Sequence, residues 1–174
     1  PNAISSGTTT IVKTAGIETV NITASTDSGS ADVTTFTTTN MAAANVVITS
    51  GQAANTVALG TLNVATTNVD ASAYKGILTM TGGTGIAMTV SALGGVANTI
   101  NTSTGSDTVT LTGKLGTAIN VTNASTGTLD TLNATADNAS TDFTSVQGYE
   151  TINLTVSNGA AAGFDNATKT DGLM

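Results

Sequence analysis

The chain reads as all-β, an irregular parallel β-solenoid with minimal helix; a β-sandwich is the alternative. Three observations carry this. A short phrase (acid or amide, Thr, aliphatic, small or polar residue, aliphatic or Ala) recurs six times along the 174 residues. Within each copy aliphatic and polar positions alternate, the period of a strand with one buried face. Gly-containing turn pairs punctuate the copies, at Ser6-Gly7, Ser28-Gly29, Gly82-Gly83, Gly94-Gly95, Gly105-Ser106, Thr126-Gly127 and Asn158-Gly159. A strand unit that cannot bury its face alone must stack on its neighbours, which points to a built surface or scaffold before a catalyst.

In order, the phrase begins at Glu18-Thr19-Val20-Asn21-Ile22-Thr23 and returns at Asn55-Thr56-Val57-Ala58-Leu59. Asn98-Thr99-Ile100-Asn101-Thr102, Asp107-Thr108-Val109-Thr110-Leu111 and Asp130-Thr131-Leu132-Asn133-Ala134 follow, and Glu150-Thr151-Ile152-Asn153-Leu154-Thr155 closes the series almost unchanged. Strands are expected at 10–14, 19–24, 33–39, 45–49, 61–65, 77–81, 86–90, 98–102, 108–112, 118–122, 131–135 and 151–156. Gly60 inside a strand pattern marks a bulge or an edge. Short helical turns are expected at 39–44 and 68–75, with Asn40 or Asp70 as a cap. Residues 1–158 form one β-rich module. Residues 159–174 have the composition of a linker into a neighbouring element. Pro1 in place of Met implies a fragment or a processed product. Uneven spacing of the phrases argues against a perfectly regular solenoid.

Composition narrows the function classes. Charged residues make up 9% of the chain, against roughly 25% in an average soluble domain. Low charge and a mean hydropathy of +0.20 separate it from disordered chains. With aromatics at 3%, the core must be thin and built from small aliphatics. Four Lys against eleven acids give a net charge of −7, which disfavours nucleic acid and anionic membrane surfaces. No apolar run approaches the roughly 20 residues of a membrane span. A chain rich in Thr and Asn and low in charge suits the outside of a cell.

Catalysis has little to work with. His, Cys and Arg are absent, so neither a Ser-His-Asp triad nor a Cys-His pair can form, and the chain is expected not to be an enzyme. Gly82-Gly83-Thr84-Gly85 lacks the Lys-Ser/Thr of a phosphate loop and reads as a tight turn. Asn-x-Ser/Thr triplets, as at Asn21, Asn120, Asn133 and Asn153, follow from the composition.

Calcium is the one cofactor the residues favour, because it takes carboxylate, amide and carbonyl oxygens. Asp27 and Asp32 bracket a small-residue loop just after a phrase, and Asp137 and Asp142 repeat the arrangement after the Asp130 phrase. Gly105-Ser106-Asp107-Thr108-Val109 matches the second half of a calcium-binding nonapeptide. Candidate calcium ligands are therefore Asp27, Asp32, Asp107, Asp130, Asp137 and Asp142.

Two of these phrases carry a family resemblance. Gly16-Ile17-Glu18-Thr19-Val20-Asn21-Ile22 and Gly148-Tyr149-Glu150-Thr151-Ile152-Asn153-Leu154 resemble a phrase common in bacterial surface-layer proteins exported by type I secretion. Asp70-Ala71-Ser72-Ala73-Tyr74-Lys75-Gly76 is similar to a phrase that follows it there, and Gly105–Val109 resembles the calcium repeat that comes next. The three occur in the family's order over roughly residues 16–112. The resemblance implies a module of a large exported protein that assembles with copies of itself into a calcium-dependent two-dimensional lattice on the cell surface, with cell-surface polysaccharide as a further partner. The leading glycines of the calcium repeat are replaced by Thr102 and Ser103. A stalk or passenger segment of a type I-secreted adhesin, or a phage or filament structural protein, is the alternative.

Overall fold

The computed structural model describes residues 7–10, 16–24, 33–38, 41–53, 55–83, 85, 87–94, 96–102, 104–114, 120–123, 129–136 and 146–156. Those residues hold fourteen strands and no helix. One set is β1 (Gly7–Thr10), β3 (Val33–Thr37), β5 (Thr56–Thr61), β7 (Ile77–Thr81), β9 (Thr99–Asn101), β11 (Asn120–Thr122) and β13 (Val146–Gln147). The other is β2 (Thr19–Ala24), β4 (Asn45–Ser50), β6 (Asn68–Tyr74), β8 (Thr89–Leu93), β10 (Thr108–Lys114), β12 (Thr131–Ala136) and β14 (Thr151–Val156).

Odd-numbered strands form one seven-stranded sheet in chain order, and even-numbered strands form a second. Every neighbouring pair is parallel. Each coil of the chain thus gives one strand to each sheet, which is a β-solenoid and not a sandwich. Strand spacing of about 4.8 Å makes a seven-stranded stack about 30 Å long. Coil length varies, from 19 residues between Thr89 and Thr108 to 26 between Thr19 and Asn45, and the register shifts within the β4–β6, β5–β7 and β10–β12 pairs.

The alternation seen in the sequence becomes two ladders. Facing inward, Val20, Val46, Val69, Val90, Val109, Leu132 and Ile152 stand in register through all seven coils of the second sheet. The first six are buried, and each fully buried aliphatic of this size contributes about 1.5–3 kcal/mol. Opposite them, Met80, Ile100, Val121 and Val146 stack in the first sheet. Facing outward, Asn21, Val47, Asp70, Ser91, Thr110, Asn133 and Asn153 form a mostly polar ladder. Its amides bond coil to coil: Asn153 Nδ2 donates to Asn133 Oδ1 at 2.9 Å, and Asn133 Nδ2 to Thr110 Oγ1 at 3.3 Å.

Several expected elements shift. Residues 68–75 are not a helical turn: Asn68–Tyr74 is β6, with Val69 and Ala71 inward. Its small residues carry little strand propensity alone, and pairing with β4 and β8 decides the matter. Met41 to Ala44 are not helical either, while residues 39 and 40 lie outside the described set. The strand expected at 61–65 lies earlier, as β5, and the one at 86–90 lies later, as β8. β13 was not expected. Gly60 does mark a bulge: its φ is 62° and the β5–β7 register shifts there. Gly148 shows why glycine is needed at a corner, since its φ is 80° and a Cβ would collide with the Asn123 carbonyl oxygen.

Candidate functional site

The first residue of each phrase sits one step before a strand, at a corner of the solenoid; Asn55, Asn98, Asp107 and Asp130 are buried there, Glu150 is half-buried and Glu18, in the first coil, is exposed. All four acidic versions, Glu18, Asp107, Asp130 and Glu150, precede strands of the second sheet. The amide versions, Asn55 and Asn98, precede strands of the first. The substitution of acid for amide therefore separates the two sheets, which the sequence alone did not reveal.

Three of the acids form a directional column. Asp107 Oδ1 accepts the Met88 N–H at 2.8 Å. The Asp107 N–H in turn donates to Asp130 Oδ1 at 2.7 Å, and the Asp130 N–H donates to Glu150 Oε2 at 2.8 Å. Each carboxylate thus caps a backbone N–H of the coil before it, at a corner where the regular ladder has not yet begun. Asn98 does the same in the first sheet, its Oδ1 accepting the Leu78 N–H at 2.9 Å.

Asp107 and Asp130 are fully buried. Around Asp107 the inner polar groups close into a network. Asn123 Nδ2 donates to Asp107 Oδ2 and to Thr102 Oγ1, both at 2.9 Å. The Thr102 hydroxyl meets the buried Tyr149 hydroxyl at 3.4 Å. Burial pushes the Asp107 carboxyl above its ordinary value, and the Asp130 charge adds to this; bonds from Met88, Thr102 and Asn123 oppose it. Burial likewise raises the Tyr149 phenol. On the outer surface the trend reverses: the Ser72 hydroxyl and N–H donate to Asp70 Oδ1 at 2.6 and 3.0 Å and hold that carboxyl below its usual range.

This arrangement is suited to holding coils together. Asp107 directs both carboxylate oxygens at N–H donors, and Asp130 directs Oδ1 at another. Calcium takes six to eight oxygens at about 2.3–2.6 Å, and among the described residues no group of three acids gathers to supply them. Asp107 and Asp130 as placed act as backbone caps. Asn98 and Asp107, nine residues apart in sequence, fall in different sheets and do not stack on one another. Asp27, Asp32, Asp137 and Asp142 lie outside the described residues.

Sequence reasoning missed Asn123 and Thr102 as partners of Asp107, and Tyr149 as the partner of Thr102. Tyr149 carried a signal, since it stands directly before the acid of its phrase; Asn123 belongs to no phrase and carried none. No family model, curated protein or solved structure matches the chain.

Proposed function

We propose that the chain is a structural module of an exported bacterial surface-layer protein, packing with copies of itself into a calcium-dependent lattice at the cell surface. The acid column carries this reading. Among the described residues, Asp107 and Asp130 are buried as caps between coils, where they stiffen a stack. The outer faces support it: ladders of Thr and Asn can pack side to side while desolvating few charges. The calcium ligands in this reading are drawn from Asp27, Asp32, Asp107, Asp130, Asp137 and Asp142; of these, Asp107 and Asp130 already accept N–H donors in the column.

The test is a thermal melt by circular dichroism in millimolar calcium and then in chelator, with light scattering and electron microscopy on both samples. Calcium at a hundred times its dissociation constant adds about 2.7 kcal/mol, which for a chain of this size raises Tm by about 5–10 °C. Such a rise with growing, two-dimensionally ordered particles supports the proposal. A monodisperse monomer with the same melt in both buffers would sink it.

A further inference from the structure

We infer that two copies of this chain stack head to tail, β2 of one laid in register along β14 of the other. The inference rests on the assembly reading above and names its contact.

β2 and β14 are the outermost strands of the second sheet, at opposite ends of the stack. Their phrases, Glu18-Thr19-Val20-Asn21-Ile22-Thr23 and Glu150-Thr151-Ile152-Asn153-Leu154-Thr155, agree position by position in character. A second copy placed on β14 therefore repeats the pairing of β14 on β12, in which Thr131 faces Thr151 and Leu132 faces Ile152.

The direction of the acid column supplies an independent argument. Each acid caps the N–H of the coil before it, and Glu150 is the last acceptor of that series. Glu18 occupies the equivalent corner of the first coil, is exposed, and its carboxylate has no hydrogen-bond partner among the described residues. In the stacked pair Glu18 accepts the Glu150 N–H of the neighbouring copy, as Glu150 accepts that of Asp130 within the chain. Outside, Asn21 continues the amide ladder onto Asn153 as Asn153 continues it onto Asn133.

Packing points the same way. Ile152 and Leu154 are only partly buried, although Leu132 and Val109 at the first of these positions are fully buried in the preceding coils. Val20 and Ile22 are already covered at the other end, so the new burial falls on the β14 side. The contact joins two different surfaces related by translation along the stack. It does not close, and repetition gives a fibre or one axis of a lattice.

The chain has no cysteine, so single thiols report the contact. Asn21→Cys and Asn153→Cys place them at exposed outer positions, and neighbouring strands about 4.8 Å apart fall inside the disulfide range. Equal amounts of the two variants, each checked by circular dichroism, are mixed and oxidised. Docking concentrates the matched thiols, so the mixed dimer is expected roughly tenfold above either homodimer, against about twofold for random collision. Thr23→Cys with Thr155→Cys is the second pair, should either Asn variant melt differently from the parent. Random proportions in both pairs overturn the inference. No cross-link in a sample whose particles still grow overturns the contact and leaves the assembly reading standing. No cross-link in a monomer overturns both, and β14 amides protected from exchange there would show that the chain itself covers that edge.

Discussion

Replacing Asp107 with Ala tests the buried acid column most directly. The substitution removes the acceptor of the Met88 N–H at 2.8 Å and of Asn123 Nδ2 at 2.9 Å, both inside the stack. A buried donor left without a partner costs about 1–3 kcal/mol, so two cost about 2–6 kcal/mol. Relief of the Asp107 desolvation and of its repulsion with Asp130 offsets part of this, placing the net loss at about 2–4 kcal/mol. For a chain of 174 residues that is a fall in Tm of roughly 5–15 °C. Asp107→Asn keeps an acceptor for Met88 but turns an amide against the Asn123 amide, and should cost about half as much.

The pH dependence has a definite sign. The folded-state pKa of Asp107 lies above its unfolded value near 3.8. The protonation-linked part of its contribution is therefore fully present below the unfolded value and is lost as pH rises through the folded one, while the acceptor bonds to Met88 and Asn123 are counted separately. Asp107→Asn should abolish that part of the stability profile, read as the difference between parent and variant melts across the acidic range. An Asp107→Ala variant melting within a degree of the parent, or an Asn variant less stable than the Ala variant, would refute the column as a source of stability.

Four further outcomes follow from the same geometry. Gly148→Ala must combine a φ of 80° with a collision at the Asn123 carbonyl, and should lose about 2–5 kcal/mol; Gly85→Ala, with a φ of 76° and open space around it, should lose only about 1–2 kcal/mol, and equal melts would contradict the corner packing. Tyr74→Phe deletes the buried bond from the phenol to the Asn55 carbonyl at 2.8 Å and should lower stability by about 1–3 kcal/mol, read by thermal melt. Burial pushes the Tyr74 phenol up to about 12 from 10.0; its stabilising effect is present below 10 and disappears as pH rises toward 12, so ultraviolet titration should show delayed ionisation followed by loss of structure. Leu132→Ala, in the middle of the inner ladder, should cost about 2–5 kcal/mol, while Ile152→Ala, at its partly exposed end, should cost less in dilute monomer; a reversed order would contradict the ladder.

That the chain is all-β was legible locally, because a period of two is a property of neighbouring residues; the choice of a parallel solenoid over a sandwich came from the strand pairing. Residues 19–24, 131–135 and 151–156 read as strands from their own alternation, and the structure has strands at Thr19–Ala24, Thr131–Ala136 and Thr151–Val156. The repeated phrase also required stacking, since a single strand cannot bury Val20 and Ile22 alone. What the sequence left open depends on partners distant along the chain. Asn68–Tyr74 is a strand because β4 and β8 flank it, and no local signal outweighs the helical propensity of its Ala residues. In the sequence Asp107 reads as a solvent-facing strand residue or, less readily, as a calcium ligand. Only the tertiary structure showed that Asp107 and Asp130 point into the stack, because what an inward oxygen meets is decided by the coil beneath it. Asn123 reaches Asp107 across sixteen residues and a corner, a distance over which spacing in sequence carries no information about contact.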